Sequence, residues 1–416
     1  MQMGEDAHLF IFGGLLSDAK AANRVIGVAV SGGSDSVALL HLLAIAAPHL
    51  RLSLCAATVD HDLRQGSAQE AAEVARMCHG LGIPHETLLW QHGAVVGNLQ
   101  DQARRARYGL LADWAQRRGI GQVLLAHTAD DQAETFLMGL AREAGLDGLT
   151  GMRPSWMQAG VRFSRPLLAK TRADLRHFLT KRGLRWIDDP SNDNDRFARV
   201  KARKVLQALR PLGVSVENLA ATVGNLAAAQ RGLIAAVADS WSRIGHETAG
   251  SLQMSLQDLH TQSSEITRRL LLAAIEWLSG GDYPPRAHKI DTLAVALLQG
   301  RDATLGGCRF RIKDARLTIL REPRAVAGLE SPTDQLWDNR WHLSGPDAPG
   351  LTIRALGVEG LAACKDWRSL GIARDALLVT PAIWRGPTLI AAPLAGFSND
   401  WCANCSPSFA SFILSH

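Results

Sequence analysis

The residues of this chain that could carry chemistry begin with a short loop of serine, glycine and aspartate. Residues 26–30 and 37–47 are apolar runs, and the loop between them has almost no bulky side chains. Glycines let the backbone approach an anion, while successive N–H groups and the N-terminus of the following helix supply partial positive charge. The pattern therefore predicts a phosphate-binding loop that consists of Ser31, Gly32, Gly33, Ser34, Asp35 and Ser36.

Asp35 adds a negative charge to this predicted phosphate site. A carboxylate there would repel phosphate unless a cation lay between the two, so we predict that Asp35 binds Mg²⁺ beside a nucleotide. The loop lacks the Gly-Lys-Ser/Thr ending of a Walker loop. An ordinary Ser/Gly turn is the alternative, but the order of strand, loop and helix favours a phosphate site.

A second polar group follows another apolar run. His127, Asp131 and Glu134 are four and then three residues apart, so they share one face once helical geometry begins. An imidazole and carboxylates on one face suit either metal binding or the capture of a cationic substrate. The alternative is a solvated helix N-terminus with acidic residues in its first turn.

Two arginines lie one helical turn apart in the segment 98–108. Arg104 and Arg107, with Tyr108 next to them, could clamp phosphates or an RNA backbone. On spacing alone, a charged and solvated helix face is the better interpretation.

The elements that must position these residues alternate between strands and helices. We predict strands at 25–30, 52–59, 85–90 and 122–126, and helices at 36–46, from 67, at 99–118 and at 129–142. Ser67 and Glu70 have the spacing of a capping box. This order predicts an α/β fold with a doubly wound parallel sheet, whose ligands bind at the carboxyl ends of the strands. Asp60 and His61 also lie at such an end.

Composition sets limits on the partners. The chain has 416 residues, a hydrophobic fraction of 47%, a formal net charge of +5 and a pI near 9.0. Scattered cysteines and a polar start favour the cytoplasm, and the absence of an apolar run of about 18 residues predicts no membrane partner. The positive charge is concentrated in two places, which predicts contacts with nucleic acid at Arg196, Arg199, Lys201, Arg203 and Lys204 and, on a hairpin at 306–320, at Arg309 and Arg311.

Length and composition predict three domains. We place the α/β catalytic domain at 1–210, a mostly helical domain that ends in the hairpin at 211–326, and a small β-rich domain at 327–416. The tail at 397–416 is a candidate for disorder, and its Cys402 and Cys405 are more simply two free thiols than a zinc site.

The loop at 31–36 resembles the pyrophosphatase loop of the PP-loop ATPases. Seven segments, in order and at the right spacing, together resemble the tRNA(Ile)-lysidine synthetases over residues 25–205. These segments are SGGSDS at 31–36, VDHDLR at 59–64, the Arg-x-x-Arg-Tyr helix at 104–108, AHTADDQAET at 126–135, GLDGL at 145–149, RPLL at 165–168 and WIDDPSN at 186–192.

The resemblance implies ATP-dependent ligation of free lysine to C2 of the wobble cytidine in the CAU anticodon of tRNA(Ile), with release of AMP and pyrophosphate. It also implies that residues 31–36, Asp60 and His61 form the ATP site and that Asp35 holds Mg²⁺. Arg104 or Arg107 would stabilise the reacting phosphate or the adenylated base. His127, Asp131 and Glu134 would surround the adenylate and lysine.

Several questions stay open at this level. The ε-amine of lysine, with a pKa of about 10.4, must lose a proton before it attacks, and His127, Asp131 and Glu134 are all candidates for the base. A PP-loop tRNA thiolase is an alternative, although it needs cysteines at the site. A tRNA-binding protein with a decayed ATP site is another. A homodimer is possible.

Overall fold

The protein was analysed as a computed structural model that describes residues 24–62, 66–92, 97, 99–188, 198–281 and 285–415. Two compact units divide the chain, one spanning residues 1–230 and the other residues 231–416. The three-domain division with boundaries at 210 and 326 remains a prediction. We describe each unit by itself.

The first unit is built on a six-stranded sheet with the strand order β3-β2-β1-β4-β6-β5. Strands β1, β2, β3, β4 and β6 run parallel to one another, and the edge strand β5 pairs antiparallel with β6. The chain places β1 in the centre and moves outward in both directions, which confirms the predicted doubly wound α/β fold. The strands are β1 (Arg24–Ala29), β2 (Leu52–Asp60), β3 (His85–Leu89), β4 (Gln122–Leu124), β5 (Ser155–Gln158) and β6 (Val161–Ser164).

Helices fill the connections of the first unit. They are α1 (Ser34–Leu50), α2 (Ser67–Gly80), α3 (Leu99–Arg117), α4 (Ala129–Leu140), α5 (Leu146–Leu149), α6 (Arg172–Lys181) and α7 (Ala198–Leu209). Helix α8 (Val216–Ile244) begins in the first unit, and its residues from 231 onward belong to the second.

The largest differences between predicted and observed helix ends are in α1 and α2. Helix α1 continues through Pro48 to Leu50, whereas the prediction ended it at residue 46. The capping box predicted from Ser67 and Glu70 is wrong, because α2 already includes Ser67 and its N-cap is Gly66, with no side-chain cap hydrogen bond.

Two apolar cores form in the first unit. One packs α1, α2 and α6 with β1, and it includes the buried Leu39, Val74 and Phe178. The other packs α3 with β4 and β6 around Trp114 and Phe163. These cores hold the carboxyl ends of β1, β2 and β4 in fixed positions, which is what a site at that edge requires.

The second unit is rich in strands. A five-stranded sheet has the order β7-β8-β11-β10-β9, a four-stranded sheet the order β12-β14-β15-β16, and β13 pairs with β17. The strands are β7 (Gly245–Thr248), β8 (Ser251–Ser255), β9 (Ala303–Leu305), β10 (Cys308–Lys313), β11 (Arg316–Arg321), β12 (Glu330–Pro332), β13 (Trp341–Ser344), β14 (Thr352–Ala355), β15 (Pro381–Arg385), β16 (Thr388–Ala391) and β17 (Cys402–Cys405).

Helices of the second unit are mostly short. They are α9 (Leu256–His260), α10 (Ser264–Ser279), α11 (Ala287–Leu298), α12 (Pro323–Val326), α13 (Gly357–Ala363), α14 (Arg374–Leu378) and α15 (Phe409–Ser415). Across the part of the chain that the structure describes, no helix is both long and apolar enough to cross a bilayer.

The predicted basic hairpin is present. Strands β10 and β11 pair antiparallel from Cys308 opposite Arg321 to Lys313 opposite Arg316. Phe310, Leu317 and Ile319 are fully buried, so one face of the hairpin belongs to the core.

The C-terminal tail is ordered as far as residue 415, contrary to the expectation of disorder. Strand β17 pairs with β13, and the fully buried Phe409 contacts the rings of Trp241 and Trp277. Phe409, Phe412 and Ile413 lie at helical spacing and are buried, which is the apolar signal that fixes this segment. Cys402 and Cys405 are free thiols, as expected.

Candidate active site

The loop after β1 forms the floor of the site. Helix α1 begins at Ser34 with Gly33 as its N-cap, so the first N–H groups of the helix lack partners within it. Gly32 has φ +88, and a Cβ atom there would lie 2.7 Å from Cδ1 of Ile187. The N–H of Ile187 donates to the carbonyl of Gly32 at 2.9 Å. The segment before residue 188 therefore packs against the loop and requires glycine at this position.

Hydrogen bonds within the loop fix its shape. The hydroxyl of Ser36 accepts from the N–H of Ser31 at 3.1 Å and donates to the carbonyl of Gly33 at 2.9 Å. The hydroxyl of Ser34 donates to Oδ1 of Asp35 at 3.1 Å. A loop held in this way is ready to bind an anion without first being ordered.

A cavity of about 680 Å³ opens above the loop. It brings together most of the residues that the sequence predicted, although they come from five separate segments. The predicted residues in its wall are Ser31, Gly33, Ser34, Asp35, Ser36, His61, Arg107, His127, Asp131, Arg199 and Arg203. Gly32, Asp60, Arg104 and Glu134 are not among its lining residues.

Charged side chains form a network at one end of this cavity. We call it the cavity cluster, and it consists of Asp35, Asp131, Glu134, Arg172, Arg199 and Arg203.

Arg172 is the centre of the cavity cluster. Its Nε donates to Oδ2 of Asp35 at 3.0 Å, and its other nitrogens lie 3.8 Å from Oδ1 of Asp131 and 3.6 Å from Oε1 of Glu134. Burial raises the pKa of Asp35, and Arg172 opposes this effect. One guanidinium thus links the carboxylate beside the phosphate loop to the two carboxylates of α4.

Asp131 is both a capping residue and a member of the cavity cluster. Its Oδ2 accepts from the N–H of Thr128 at 2.9 Å and from the Thr128 hydroxyl at 3.0 Å, which closes the N-terminus of α4. Its Oδ1 lies 3.5 Å from Arg199 and 3.8 Å from Arg172, beyond close hydrogen-bond distance. Although burial opposes ionisation, these donors and cations keep the pKa of Asp131 below its ordinary value. Its Oδ1 is the oxygen left for a substrate.

Glu134 lies deeper in the protein. Its side chain is 1% exposed, and its Oε1 accepts from Nε of Arg203 at 2.6 Å. Burial raises the pKa of Glu134, while Arg203 lowers it. Its Oε2 is buried and has no hydrogen-bond partner among the described residues.

His127 contacts an arginine that the sequence analysis had given no role. Nε of Arg165 donates to Nδ1 of His127 at 3.1 Å. Burial lowers the pKa of His127, the Arg165 cation adds to this effect and Asp131 opposes it. The imidazole is therefore neutral near pH 7.

The structure separates the two arginines of α3. Arg107 lines the cavity, and its buried Nε has no hydrogen-bond partner among the described residues. Arg104 is exposed, and its guanidinium lies 5.7 Å from the centre of the Tyr108 ring. Of this pair, Arg107 is the one placed to contact a bound substrate.

The predicted RNA-binding residues occupy different surroundings. On α7, Arg199 and Arg203 point into the cavity cluster, whereas Lys201 and Lys204 are exposed. Arg196 lies outside the described residues. RNA binding by these residues remains a prediction.

In the second unit, the hairpin arginines have their own carboxylate partners. Arg309 lies 3.7 Å and Arg311 lies 3.3 Å from Oδ2 of Asp375, and Arg311 also lies 2.9 Å from Asp302. We call these four residues the hairpin cluster. Its arginines are about as exposed as its carboxylates, at 35–39% and 37–49%.

Sequence analysis missed Arg172, and it quoted Arg165 without giving it a role. Thr171 and Asp174 form a capping box at the start of α6, and that spacing was a visible signal that a helix begins at Arg172. No local pattern shows that the side chain of Arg172 then meets Asp35, 137 positions earlier in the chain.

Comparison with known proteins identifies the family. A family model described as a PP-loop domain matches residues 12–209. A tRNA(Ile)-lysidine synthase from Ruegeria pomeroyi is 48% identical over 94% of this chain and 94% of its own length. The chain belongs to the tRNA(Ile)-lysidine synthase family.

Other members of the lysidine synthase family extend the similarity. The protein of that name from Novosphingobium aromaticivorans is 41% identical over 72% of this chain and 88% of its own length. The one from Wolbachia pipientis is 33% identical over 80% and 79%. These matches confirm the family predicted from the seven segments, and the PP-loop domain covers the cavity.

Proposed function

We propose that this protein ligates free lysine to C2 of the wobble cytidine in the CAU anticodon of tRNA(Ile), using ATP and releasing AMP and pyrophosphate. The observation that carries the proposal is the cavity, which joins an anion-binding loop to buried carboxylates within a lysidine synthase chain. A reaction that needs a triphosphate at one end and an ammonium ion at the other requires both features.

The loop residues supply the nucleotide end of the site. The N–H groups at the start of α1 and the hydroxyls of the loop serines bind the phosphates of ATP. Arg107 provides a cation in the same cavity for the phosphate that reacts with the cytosine oxygen. The 2-oxo group of cytosine is a poor leaving group, and its adenylation converts it into an ester of AMP that an amine can displace.

The residues present fit a magnesium ion. Mg²⁺ usually takes one or two carboxylates, keeps several waters and binds substrate phosphates. Asp35 offers one partly buried carboxylate beside the loop, and among the described residues no group of three or more His, Cys, Asp or Glu could hold a metal ion by itself. Mg²⁺ bound there would neutralise phosphate charge.

Asp131 is placed to receive the ammonium group of lysine. It lines the cavity, and among the described residues its Oδ1 has Arg199 at 3.5 Å and Arg172 at 3.8 Å as its cationic neighbours. Glu134, behind it, adds a second carboxylate, and Arg203 and Arg172 offset the cost of its burial. Lysine therefore competes with arginines that already occupy this corner of the site.

The remaining predicted partners belong to the same proposal. The exposed lysines of α7 and the arginines of the hairpin cluster would contact the phosphates of the tRNA backbone. A cytoplasmic location and a homodimer remain predictions.

The direct test is incubation of the purified protein with ATP, Mg²⁺, labelled lysine and a CAU-anticodon tRNA transcript. We expect label in the tRNA, a mass increase equal to lysine minus water, and release of AMP and pyrophosphate. A matched transcript with a CAG anticodon should gain no label.

The same experiment separates the alternatives. Sulfur insertion would mark a thiolase, and binding of tRNA without ATP cleavage would mark a non-catalytic protein. All six cysteines are described, and none of them lines the cavity, which supports the ligase over the thiolase.

A further inference from the structure

The contact between Arg165 and His127 defines where the proton of the imidazole lies. A guanidinium has five N–H donors and no acceptor, and it stays protonated in proteins. Because Nε of Arg165 lies 3.1 Å from Nδ1 of His127, the ring nitrogen must accept the hydrogen bond. In a neutral imidazole whose Nδ1 accepts, Nε2 carries the proton.

Arg165 is itself held in place from several sides. The residue is 6% exposed, its Nη1 donates to the carbonyl of Arg153 at 2.6 Å, and its guanidinium lies 4.1 Å from the centre of the Trp156 ring. Its Nη2 also lies 3.5 Å from the hydroxyl of Tyr108. A side chain with this many partners cannot easily swing away from His127.

The charges around His127 keep its imidazole neutral. Arg165 from the segment after β6, Arg107 from α3 and Arg199 from α7 disfavour a positive imidazolium, whereas Asp131 from α4 favours it. Burial adds to the effect of the arginines, and the pKa of His127 is lowered as a result.

We infer that Arg165 is a positioning residue that fixes His127 with its proton on Nε2, so that His127 donates a hydrogen bond to a phosphoryl or carbonyl oxygen of the substrate. His127 lines the cavity, and among the described residues Nδ1 is the ring nitrogen that makes its hydrogen bond. This inference rests on the proposed function, and it removes His127 from the candidates for the base that deprotonates lysine. Asp131 and Glu134 remain.

A nitrogen NMR experiment on the substrate-free protein tests the tautomer directly. With ¹⁵N-labelled histidine, and with His127→Gln to assign the signal among 14 histidines, we expect an unprotonated Nδ1 and a protonated Nε2 between about pH 5 and 8. A proton on Nδ1, or a doubly protonated ring at about pH 7, would overturn the inference. Since no substrate is present, this result is independent of the reaction that the protein catalyses.

Two substitutions of His127 test the donor role in catalysis. The amide of Gln can place an N–H near the position of Nε2, whereas that of Asn reaches only the position of Nδ1. We expect His127→Gln to stay within about tenfold of the unmodified protein and His127→Asn to lose about a hundredfold, the value of a charge-assisted hydrogen bond. Equal losses in both variants, with disappearance of the acid limb of the pH profile, would identify His127 as the base and overturn the inference.

Substitution of Arg165 tests the positioning. In Arg165→Met the cation and donor are lost while a long side chain still packs on Trp156, so the pKa of His127 in the ¹⁵N titration should rise toward about 6.5. Arg162→Met, on the exposed side of β6, is the matched control and should leave this titration unchanged. A loss of activity in Arg165→Met with an unchanged titration of His127 would show a merely structural role and overturn the inference. If Arg165→Met does not fold, the NMR experiment on the unmodified protein and the two His127 variants still test the inference.

Discussion

The cavity cluster and the hairpin cluster use the same two kinds of side chain for different purposes. In both, arginines face carboxylates at 2.6–3.8 Å. The carboxylates of the cavity cluster are 1–18% exposed, whereas those of the hairpin cluster are 37–49% exposed.

Burial decides what each cluster can do. Charges in a buried pair are costly to separate, because removal of one leaves the other without water or a partner. Exposed pairs contribute about 0–1 kcal/mol and are screened by salt, so their arginines can exchange a carboxylate for a phosphate at little cost. The cavity cluster is therefore suited to fixed geometry around reacting groups, and the hairpin cluster to reversible contact with a polyanion.

The largest effect is expected for Asp35→Ala, which should abolish ATP-dependent modification of tRNA. The variant should still fold, because Arg172 keeps Asp131 and Glu134 as partners and the loop contributes little to the core. Product formation measures the loss of modification, and thermal unfolding measures whether the variant still folds. Asp113→Ala, an exposed position on α3, is the control. Near-normal modification by the Asp35 variant at ordinary Mg²⁺ concentration would contradict the assigned role.

A buried pair in the second unit should affect stability alone. Arg321 donates to Asp338 through Nε at 2.9 Å and Nη2 at 2.7 Å, and the side chains are 8% and 2% exposed. Asp338→Asn keeps the shape and tolerates the positive φ of 48, but it leaves the guanidinium uncompensated. We expect a loss of about 3–5 kcal/mol in denaturant unfolding.

The Asp338→Asn substitution should leave ATP binding in the first unit unchanged. A loss below about 1 kcal/mol would show that burial does not govern the energetics of these pairs.

Glu134→Gln should impair the use of lysine more than the binding of tRNA. The substitution removes a charge from the cavity cluster and leaves the exposed lysines of α7 unchanged. The loss of a charged hydrogen bond costs about 1.5–3 kcal/mol, which is roughly ten- to a hundredfold in kcat/KM for lysine. Asp131→Asn should act in the same direction.

Glu143→Gln, an exposed position just after α4, serves as the matched control for Glu134→Gln. If lysine dependence is unchanged while tRNA affinity collapses, the ammonium does not bind at this corner of the cavity.

Arg309→Ala combined with Arg311→Ala should produce the mildest change. Whole-tRNA binding should weaken, and each lost phosphate contact should lower the slope of log K against log salt by about 0.7–0.9. ATP binding and stability should stay close to normal.

Asp375→Asn supplies a control of the opposite sign, because it removes the carboxylate charge that Arg309 and Arg311 share, while Arg311 keeps Asp302, and it should strengthen binding slightly. An unchanged salt slope in the double variant would mean that the hairpin cluster is a solvated surface with no role in docking RNA.

The sequence predicted those parts of the site that lie in one local segment. Residues 31–36 join one strand to one helix, and His127 lies just before α4 while Asp131 and Glu134 lie in its first two turns, so spacing alone could group them. The capping role of Asp131 is also local, but several acidic residues in a first turn are equally typical of a solvated helix N-terminus, so the sequence did not single out Asp131 as the cap. Arg172 could not be grouped with Asp35, because its role depends on α6 packing against α1 over a long separation in sequence.

The order of strands and helices and the periodicity of apolar residues can be read from the sequence alone. They determined the doubly wound sheet, the phosphate loop and the face of α4. Only the tertiary structure decided which charges are buried together. Arg199 and Lys201 belong to the same basic run, yet α7 turns Arg199 into the cavity and leaves Lys201 in solvent. The free energy of a charge depends on burial and on partners from distant segments, and neither is a property of its own stretch of chain.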